Sequence, residues 1–230
     1  MKEEFKVISE LVDEKSRVLD VGCGDGILME YLSKNKVVDV RGLEISKEKV
    51  QECIAKGLTV IEGDAEKDLK QFTDKSFDYV VLSQTLQAFL SPEIVLDELL
   101  RVGKKAIVTI PNFGNWQVRL HLLFKGTMPI TKSLPEQWHS TPNLHMCTIK
   151  DFVNFIKSKE IKMIKTLALN NNNQDLNVTS LETVEYAGVN YQFNLQLSNI
   201  DSETGIVDEA SLTGGDQYQY YVKNITIKTV

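Results

Sequence analysis

Apolar positions along the first 110 residues follow two different periods. Short, nearly continuous apolar runs predict buried strands over residues 17–21, 37–45, 58–62, 77–82 and 105–110. Between them, apolar residues spaced three and four positions apart predict helices over 2–14, 27–33, 47–56 and 92–102. The last of these helices begins with Ser91 as a hydroxyl cap and Pro92 at the first position. Because strands alternate with helices, we expect an α/β fold with a doubly wound, mostly parallel sheet covered on both faces.

The first predicted strand runs into a turn that holds three glycines, Gly22, Gly24 and Gly26. Glycine adopts backbone angles that other residues avoid, and it lets a ligand approach the main chain closely. The free N–H groups of the helical turn that follows suit a carboxylate or another anion. In parallel sheets, ligands bind at the carboxyl ends of the strands. The turn therefore indicates a ligand site, although a tight strand–helix junction without a ligand has the same pattern.

Two acids follow the next two strands. Glu44 ends the second strand, where its carboxylate can accept hydrogen bonds from both ribose hydroxyls of a nucleoside. Asp64 ends the third, where it can accept the exocyclic amine of adenine while backbone groups near Ala65 contact the ring. Each acid alone is typical of a solvated strand end, but together with the turn they predict an adenosine site. The turn reads G-C-G-D-G rather than G-x-G-x-x-G, so a nicotinamide dehydrogenase is a distant alternative.

Residues 112–147, called the lid segment below, are less regular and contain glycines and prolines among aromatic residues. Thr148 and Asp151 then predict a helix start, and residues 161–169 predict a sixth strand. His145 is the best general-base candidate of the lid segment, with a histidine that merely fixes the loop as the alternative. His139, His145 and Cys147 do not have the spacing of a structural zinc site, so we expect no metal.

The composition changes sharply near residue 170. Residues 170–230 contain two basic and eight acidic residues, which accounts for the whole net charge of −6. We therefore expect a domain over 1–169 and a polar, acidic, β-rich tail or module over 170–230, with strand-like runs at 189–197 and 218–230.

Charge and cysteine content restrict partners and location. A net charge of −6 argues against a nucleic-acid partner. Three scattered cysteines suit reduced thiols rather than a disulfide framework, and Cys23 is expected to pack beneath the glycine turn. No apolar run approaches the roughly 20 residues that span a bilayer, and no export signal is visible, so we expect a cytoplasmic protein without a membrane partner.

The segment Val18-Leu19-Asp20-Val21-Gly22-Cys23-Gly24-Asp25-Gly26, with acids like Glu44 and Asp64, resembles the first motifs of the class I S-adenosylmethionine-dependent methyltransferases. The resemblance implies a Rossmann-like fold in which Asp20 and the glycine loop hold the methionyl end of S-adenosylmethionine. It also places Ser83, at the fourth strand end, near the methyl acceptor. The cofactor-binding residues implied in this way are Asp20, Gly22, Gly24, Gly26, Glu44, Asp64, Ala65 and Ser83.

Further runs, at 77–87, 111–116, 126–132 and 141–148, resemble the MetW-type methionine biosynthesis proteins up to about residue 165, and residues 170–230 do not. That family is associated with homoserine O-acyltransferase. Two functions stay open: a methyltransferase acting on a small molecule held by the lid segment, with His145 as its base, or a non-catalytic partner that senses S-adenosylmethionine and activates the acyltransferase. The chain lacks the Asn/Asp-Pro-Pro-aromatic motif of enzymes that methylate nucleic-acid bases.

Overall fold

Five parallel strands form the sheet that positions the predicted site. The computed structural model of the protein describes residues 3–131, 135–169 and 190–197. The strands lie in the order β3-β2-β1-β4-β5. Their bounds are β1 (Arg17–Val21), β2 (Asp39–Glu44), β3 (Val60–Glu62), β4 (Phe77–Ser83) and β5 (Gly103–Pro111). This arrangement confirms the expected Rossmann-like, doubly wound, mostly parallel sheet.

The order of the strands reverses next to β1. The chain moves from β1 to β2 and β3 on one side and then returns to β4 and β5 on the other. In register, Asp20 of β1 pairs with Gly42 of β2 and with Val81 of β4. The crevice at such a switch point, outside the carboxyl ends of the strands, is where open α/β sheets bind their ligands.

Helices cover both faces of this sheet. They are α1 (Glu3–Leu11), α2 (Ile27–Asn35), α3 (Lys47–Ala55), α4 (Ala65–Asp68) and α5 (Pro92–Val102), with short 3₁₀ helices at Leu69–Gln71 and Leu86–Ala88. Residues of α1, α2 and α3 form one buried cluster with Val81 and Ile107. Neighbouring residues of a strand point to opposite faces, so the fully buried Val80 and Leu82 face the other side, and α5 packs against β4.

Local sequence signals explain most helix ends. Ser46 begins α3, its hydroxyl accepting a hydrogen bond from the Lys49 N–H, and Pro92 occupies the first turn of α5. The expected hydroxyl cap at Ser91 is wrong. Ser91 makes no side-chain cap hydrogen bond, and its own N–H donates to Glu66 Oε1 at 2.8 Å. The fixed φ of proline favours the first helical turn without such a cap.

The chain divides into two units, residues 1–110 and 111–230. The second unit contains α6 (Trp116–Lys125), α7 (Ile149–Ser158), β6 (Ile161–Leu169) and β7 (Asn190–Leu197). Thr148 and Asp151 form a reciprocal capping box at the start of α7, which confirms the predicted helix start. The lid segment is more regular than expected, because Asn115 caps a ten-residue helix within it that ends at Gly126 with φ 64°.

Strands β6 and β7 pair antiparallel, with Ile161 opposite Leu197 and Leu169 opposite Asn190. The strand predicted over 189–197 is therefore confirmed. The domain boundary predicted near residue 170 and the strand-like run at 218–230 lie outside the described residues. Within the described ranges, no helix combines the length and the apolar character that crossing a membrane requires.

Candidate functional site

The glycine turn connects β1 to α2, and its three glycines adopt left-handed backbone angles. Gly22, Gly24 and Gly26 have φ angles of 68°, 56° and 75°. A Cβ atom added at Gly26 would lie 2.5 Å from Leu58 Cδ1, so a side chain there would displace Leu58 as well as strain the backbone. A Cβ atom at Gly24 would have no neighbour within 4 Å among the described residues. Gly26 thus closes the loop against the protein, whereas Gly24 leaves its outer side open to a ligand.

Glu44 holds the loop in place. Its buried carboxylate accepts the Gly24 N–H at 2.8 Å through Oε2 and the Ser46 N–H at 2.9 Å through Oε1. The loop and the start of α3 are therefore fixed by one side chain. An ionised carboxylate offers about four lone-pair positions, so Glu44 keeps acceptor capacity for two ligand hydroxyls.

Asp20 is a second buried carboxyl group at the same edge of the sheet. It is only 2% exposed, and no hydrogen bond from the described residues stabilises its charged form. Burial, followed by the negative charge of Glu44, raises the pKa of Asp20 to about 8. A buried carboxyl group of this kind, beside a second acid, is a site that a cation would stabilise.

The cysteines around the loop are structural. Cys23 and Cys53 are buried, and the Cys53 thiol donates to the Gly24 carbonyl oxygen at 3.2 Å. Burial raises the pKa of both thiols, so neither is a thiolate at neutral pH. The position of Cys23 agrees with the expected packing beneath the turn.

Asp64 lies at the third strand end as the sequence indicates, but it already has protein partners. Its carboxylate caps α4 by accepting the Glu66 N–H at 3.0 Å, and it pairs with Lys67 Nζ at 2.7 Å. The hydrogen bond from Lys67 lowers the pKa of Asp64. Ala65, the next residue, is buried. An adenine amine would share the Asp64 carboxylate with these groups, so the adenine role of Asp64 and Ala65 stays a prediction.

Ser83 belongs to a buried polar cluster that the sequence did not reveal. Its hydroxyl donates to Glu4 Oε1 at 2.9 Å, and Thr109 Oγ1 donates to the same oxygen at 3.1 Å. Glu4 is 2% exposed and also accepts Gln84 Nε2 at 3.1 Å. Glu4 precedes Ile8 by four residues, so the helical spacing of α1 places it on the apolar face. That spacing is the signal that could have identified it.

The lid segment forms a cavity of its own within the second unit. The cavity measures about 150 Å³ and is mainly apolar, with Phe113, Met128, Pro129, Ile130, Trp138 and Met146 among its walls. His145 lies in this unit, exposed and without a hydrogen bond to any other described residue. Two other histidines do have partners, with His121 bonded to Thr127 and His139 to Gln137. In the described ranges, no three His, Cys, Asp or Glu side chains are grouped to hold a metal.

Solved structures share this fold at low sequence identity. A SAM-dependent methyltransferase from Archaeoglobus fulgidus matches with a TM-score of 0.61 and 16% identity, covering 84% of this chain and 91% of that one. A SAM-dependent methyltransferase from Methanosarcina mazei matches with a TM-score of 0.58 and 20% identity, covering 83% and 96%. The [4+2]-cyclase SpnF also matches, with a TM-score of 0.61 and 16% identity, covering 85% and 80%. These similarities establish the class I methyltransferase fold alone.

Sequence relatives are more specific. A bifunctional methionine biosynthesis protein MetXA/MetW from Rhodopirellula baltica is 35% identical over 153 residues, which cover 63% of this chain. The chain spans about a quarter of that relative, 25% of its length. The family described as methionine biosynthesis protein MetW matches residues 2–189, further than the limit of about 165 expected from the motifs. Because this match covers most of the chain, the protein belongs to the MetW family of methionine biosynthesis proteins.

Proposed function

We propose that this protein binds S-adenosylmethionine over the glycine turn and transfers its methyl group to a small molecule in methionine biosynthesis. The observation that carries the proposal is Asp20, a buried carboxyl group beside Glu44 whose charged form no hydrogen bond from the described residues stabilises. S-Adenosylmethionine carries an ammonium and a sulfonium, and a cation of this kind would compensate the two acids. The open side of Gly24 gives the ligand access to the backbone.

Each end of the ligand has a proposed partner. Asp20 and the loop of Gly22, Gly24 and Gly26 hold the methionyl end, and Glu44 binds the ribose hydroxyls. Asp64 and Ala65 contact the adenine, and Ser83 lies on the side of the methyl acceptor. The dinucleotide alternative has less support, because the turn lacks its glycine spacing and the neighbouring folds named above are not dehydrogenases.

The reaction requires little acid–base chemistry from the protein. When bound, S-adenosylmethionine supplies a methyl group already activated by its sulfonium. The protein residues align the acceptor and exclude water, which can account for a large part of the rate enhancement. A base is needed only for a hydroxyl or a protonated amine, and His145 is the proposed candidate.

The ribose assignment of Glu44 can be tested by calorimetry. We expect wild-type protein to bind S-adenosylmethionine and S-adenosylhomocysteine, and to bind 2′-deoxy-S-adenosylhomocysteine about tenfold more weakly, because one charge-assisted hydrogen bond is lost. Glu44→Ala should weaken the binding of S-adenosylhomocysteine and abolish the preference for the ribose ligand over the 2′-deoxy ligand. A preference that survives in Glu44→Ala would show that Glu44 only holds the loop. No heat from either natural ligand with folded protein would refute the proposed function.

Asp20 predicts a pH-dependent affinity. Because its pKa is raised to about 8, Asp20 is mostly protonated in the free protein below that pH, and a cationic ligand must bind the charged form. We compare the affinity of the wild-type protein for S-adenosylmethionine with the affinity of Asp20→Asn for the same ligand. The ratio of the two should rise about tenfold per pH unit from pH 5.5 to 7.5. The variant corrects for the titration of the ligand amine. A ratio independent of pH would contradict the proposed role.

The same raised pKa affects the stability of the free protein. The folded-state pKa of Asp20 exceeds its ordinary value of 3.8, so the stabilising contribution is complete below that value. It is lost as the pH rises through about 8, where the buried group must ionise. Thermal unfolding between pH 5 and 8 should therefore show a decline with pH that Asp20→Asn reduces.

Catalysis by His145 can be separated from binding. With a small-molecule cell extract as the source of acceptor, His145→Gln should reduce the formation of S-adenosylhomocysteine by about 10²-fold or more and leave the Kd of S-adenosylmethionine unchanged. His139→Gln is the matched control, since His139 is an exposed histidine of the same segment. Equal rates for both variants would remove His145 as the base.

We propose, second, that the chain associates with a homoserine O-acyltransferase. Two observations support this: the relative named MetXA/MetW joins two functions in one polypeptide, and α6 exposes an apolar stripe. Trp116, Leu120, Leu123 and Phe124 lie at helical spacing, and the last two are 74% and 77% exposed. Exposed apolar stripes of this kind favour protein partners.

The α6 stripe predicts a selective loss of association. Leu123→Asp should weaken binding of the purified acyltransferase by at least tenfold, because it places a charge in a buried apolar contact, and should not change the affinity for S-adenosylmethionine. Gln51→Asp, an exposed change on α3, is the control. Unchanged binding in Leu123→Asp would exclude this stripe. Acyltransferase activity that rises with S-adenosylmethionine only when the chain is present would favour the sensing function over methyl transfer.

A further inference from the structure

The cavity of the lid segment is a second place in this chain with the dimensions of a small-molecule site. It measures about 150 Å³ and is open to solvent, since Ile130 and Trp138 on its walls are 60% and 74% exposed. A cavity of roughly this volume can hold a molecule of the size of benzene. Its described walls all belong to the second unit, so the cavity is a feature of that unit by itself.

Apolar and polarisable groups form most of these walls. Phe113 and Trp138 contribute aromatic rings, and Met128 and Met146 contribute thioethers. Methionine side chains adapt to apolar groups of irregular shape, and the faces of aromatic rings attract cations. Such walls favour a compact apolar body and are compatible with a positive charge beside it.

One residue of the walls is charged. Glu136 lines the cavity and makes no ion pair or hydrogen bond with any residue in the described ranges. Among the described residues of the walls there is no lysine or arginine, so the charge of these walls is negative. The carboxylate repels an anion, whereas an ammonium group can pair with it. The charge therefore selects amines among compact apolar compounds.

Hydrogen bonds close the turn that carries Trp138. The Gln137 carbonyl oxygen accepts the N–H groups of Ser140 and Thr141, each at 3.0 Å. Gln137 Oε1 lies 2.7 Å from His139 Nε2, and the His139 ring packs perpendicular to the Trp138 ring with 5.5 Å between centroids. The tryptophan wall therefore has a neighbour that orients it.

The other walls are tied to elements of the same unit. The Phe113 N–H donates to the Cys147 carbonyl oxygen at 3.2 Å, which joins Phe113 to the residue that follows Met146. A histidine of α6 lies 3.1 Å from Thr127 Oγ1, so the chain that leads to Met128 is bonded to that helix. Walls that are largely formed before a ligand arrives are typical of small-molecule sites.

We propose that the lid cavity binds a small primary amine with a compact apolar body, and that the ammonium group of this ligand pairs with Glu136. The ligand, of about five to eight non-hydrogen atoms, fills the space between the aromatic and thioether walls. The site belongs to the second unit, and the inference does not rest on the function proposed for the glycine turn.

Trp138 provides a local signal for binding. The chain has two tryptophans, so Trp116→Phe leaves Trp138 as the only one. The ligands to titrate are 3-methylbutylamine and two compounds of similar shape, the neutral 3-methylbutan-1-ol and the anionic 3-methylbutanoate. Because Trp138 is largely exposed, a bound ligand should shift its emission to shorter wavelength. We expect the amine to bind about fivefold more tightly than the alcohol, as for one exposed ion pair, and the carboxylate to bind most weakly.

Two wall residues supply the variants, each with a matched control. In the Trp116→Phe background, Glu136→Gln should remove the preference for the amine over the alcohol, whereas Glu93→Gln, outside the lid segment, should retain it. Ile130→Ser should weaken the amine and the alcohol alike by about fivefold, because it removes apolar contact area. Leu144→Ser, an exposed apolar residue of the lid segment that is not among the walls, should leave both affinities unchanged. All four side chains are exposed, so thermal unfolding should be the same in every variant.

The possible outcomes distinguish this inference from the proposed function. A preference for the amine that is lost in Glu136→Gln and kept in Glu93→Gln would establish the cavity as an amine site. No change in Trp138 emission with any of the three compounds, equal binding of amine and carboxylate, or a preference that survives in Glu136→Gln would refute it. S-Adenosylmethionine is absent from these titrations, so neither result affects the function proposed for the glycine turn.

Discussion

Two buried carboxyl groups at the ends of adjacent strands determine the structure and the charge around the glycine loop. Glu44 is satisfied by the protein, through the N–H groups of Gly24 and Ser46, whereas Asp20 has no such partner in the described structure. The negative charge of the first raises the pKa of the second. The Glu44 carboxylate that fixes the glycine loop therefore also places a negative charge beside Asp20.

The fold itself does not decide between chemistry and sensing. Structures of methyltransferases and of a cyclase share it at comparable similarity, so the parallel sheet and its switch point are compatible with several reactions. What separates these possibilities is the side of the site that faces the acceptor. Under the proposed function that side includes Ser83, and both Ser83 and Gln84 donate to Glu4 of the first helix. Membership of the MetW family supplies the metabolic context, and these residues supply the chemistry to be tested.

Strand positions were predictable because apolar runs and turns are local signals. The bounds of β1 and β6 agree with the apolar pattern, and the capping box of Thr148 and Asp151 was visible as a pair of residue types. Glu44 and Asp64 were placed correctly at strand ends for the same reason. The partners of Asp64 were not predictable, since any acid at a helix start can act as a cap or as a ligand contact.

The contacts that sequence reasoning missed are long-range ones. Helical spacing places Glu4 on the apolar face of the first helix, but it does not indicate that the carboxylate meets Ser83 and Thr109, because those residues come close only when the sheet is complete. The lid cavity likewise brings together walls as distant in the chain as Phe113 and Met146, and no local pattern indicates it. Side chains that depend on local spacing could be assigned, and those that depend on tertiary packing could not.

The bond between Glu4 and Thr109 also has a kinetic consequence. It joins residues 105 positions apart, from the first helix to the last strand of the parallel sheet. Contacts of such high sequence separation close large loops and form slowly relative to local structure. During synthesis, the contacts between β1, β2 and the glycine loop can form before β5 has emerged, whereas the bond from Thr109 to Glu4 must wait for it. A growing chain would therefore complete the buried cluster around Glu4 only when both ends of the unit have met.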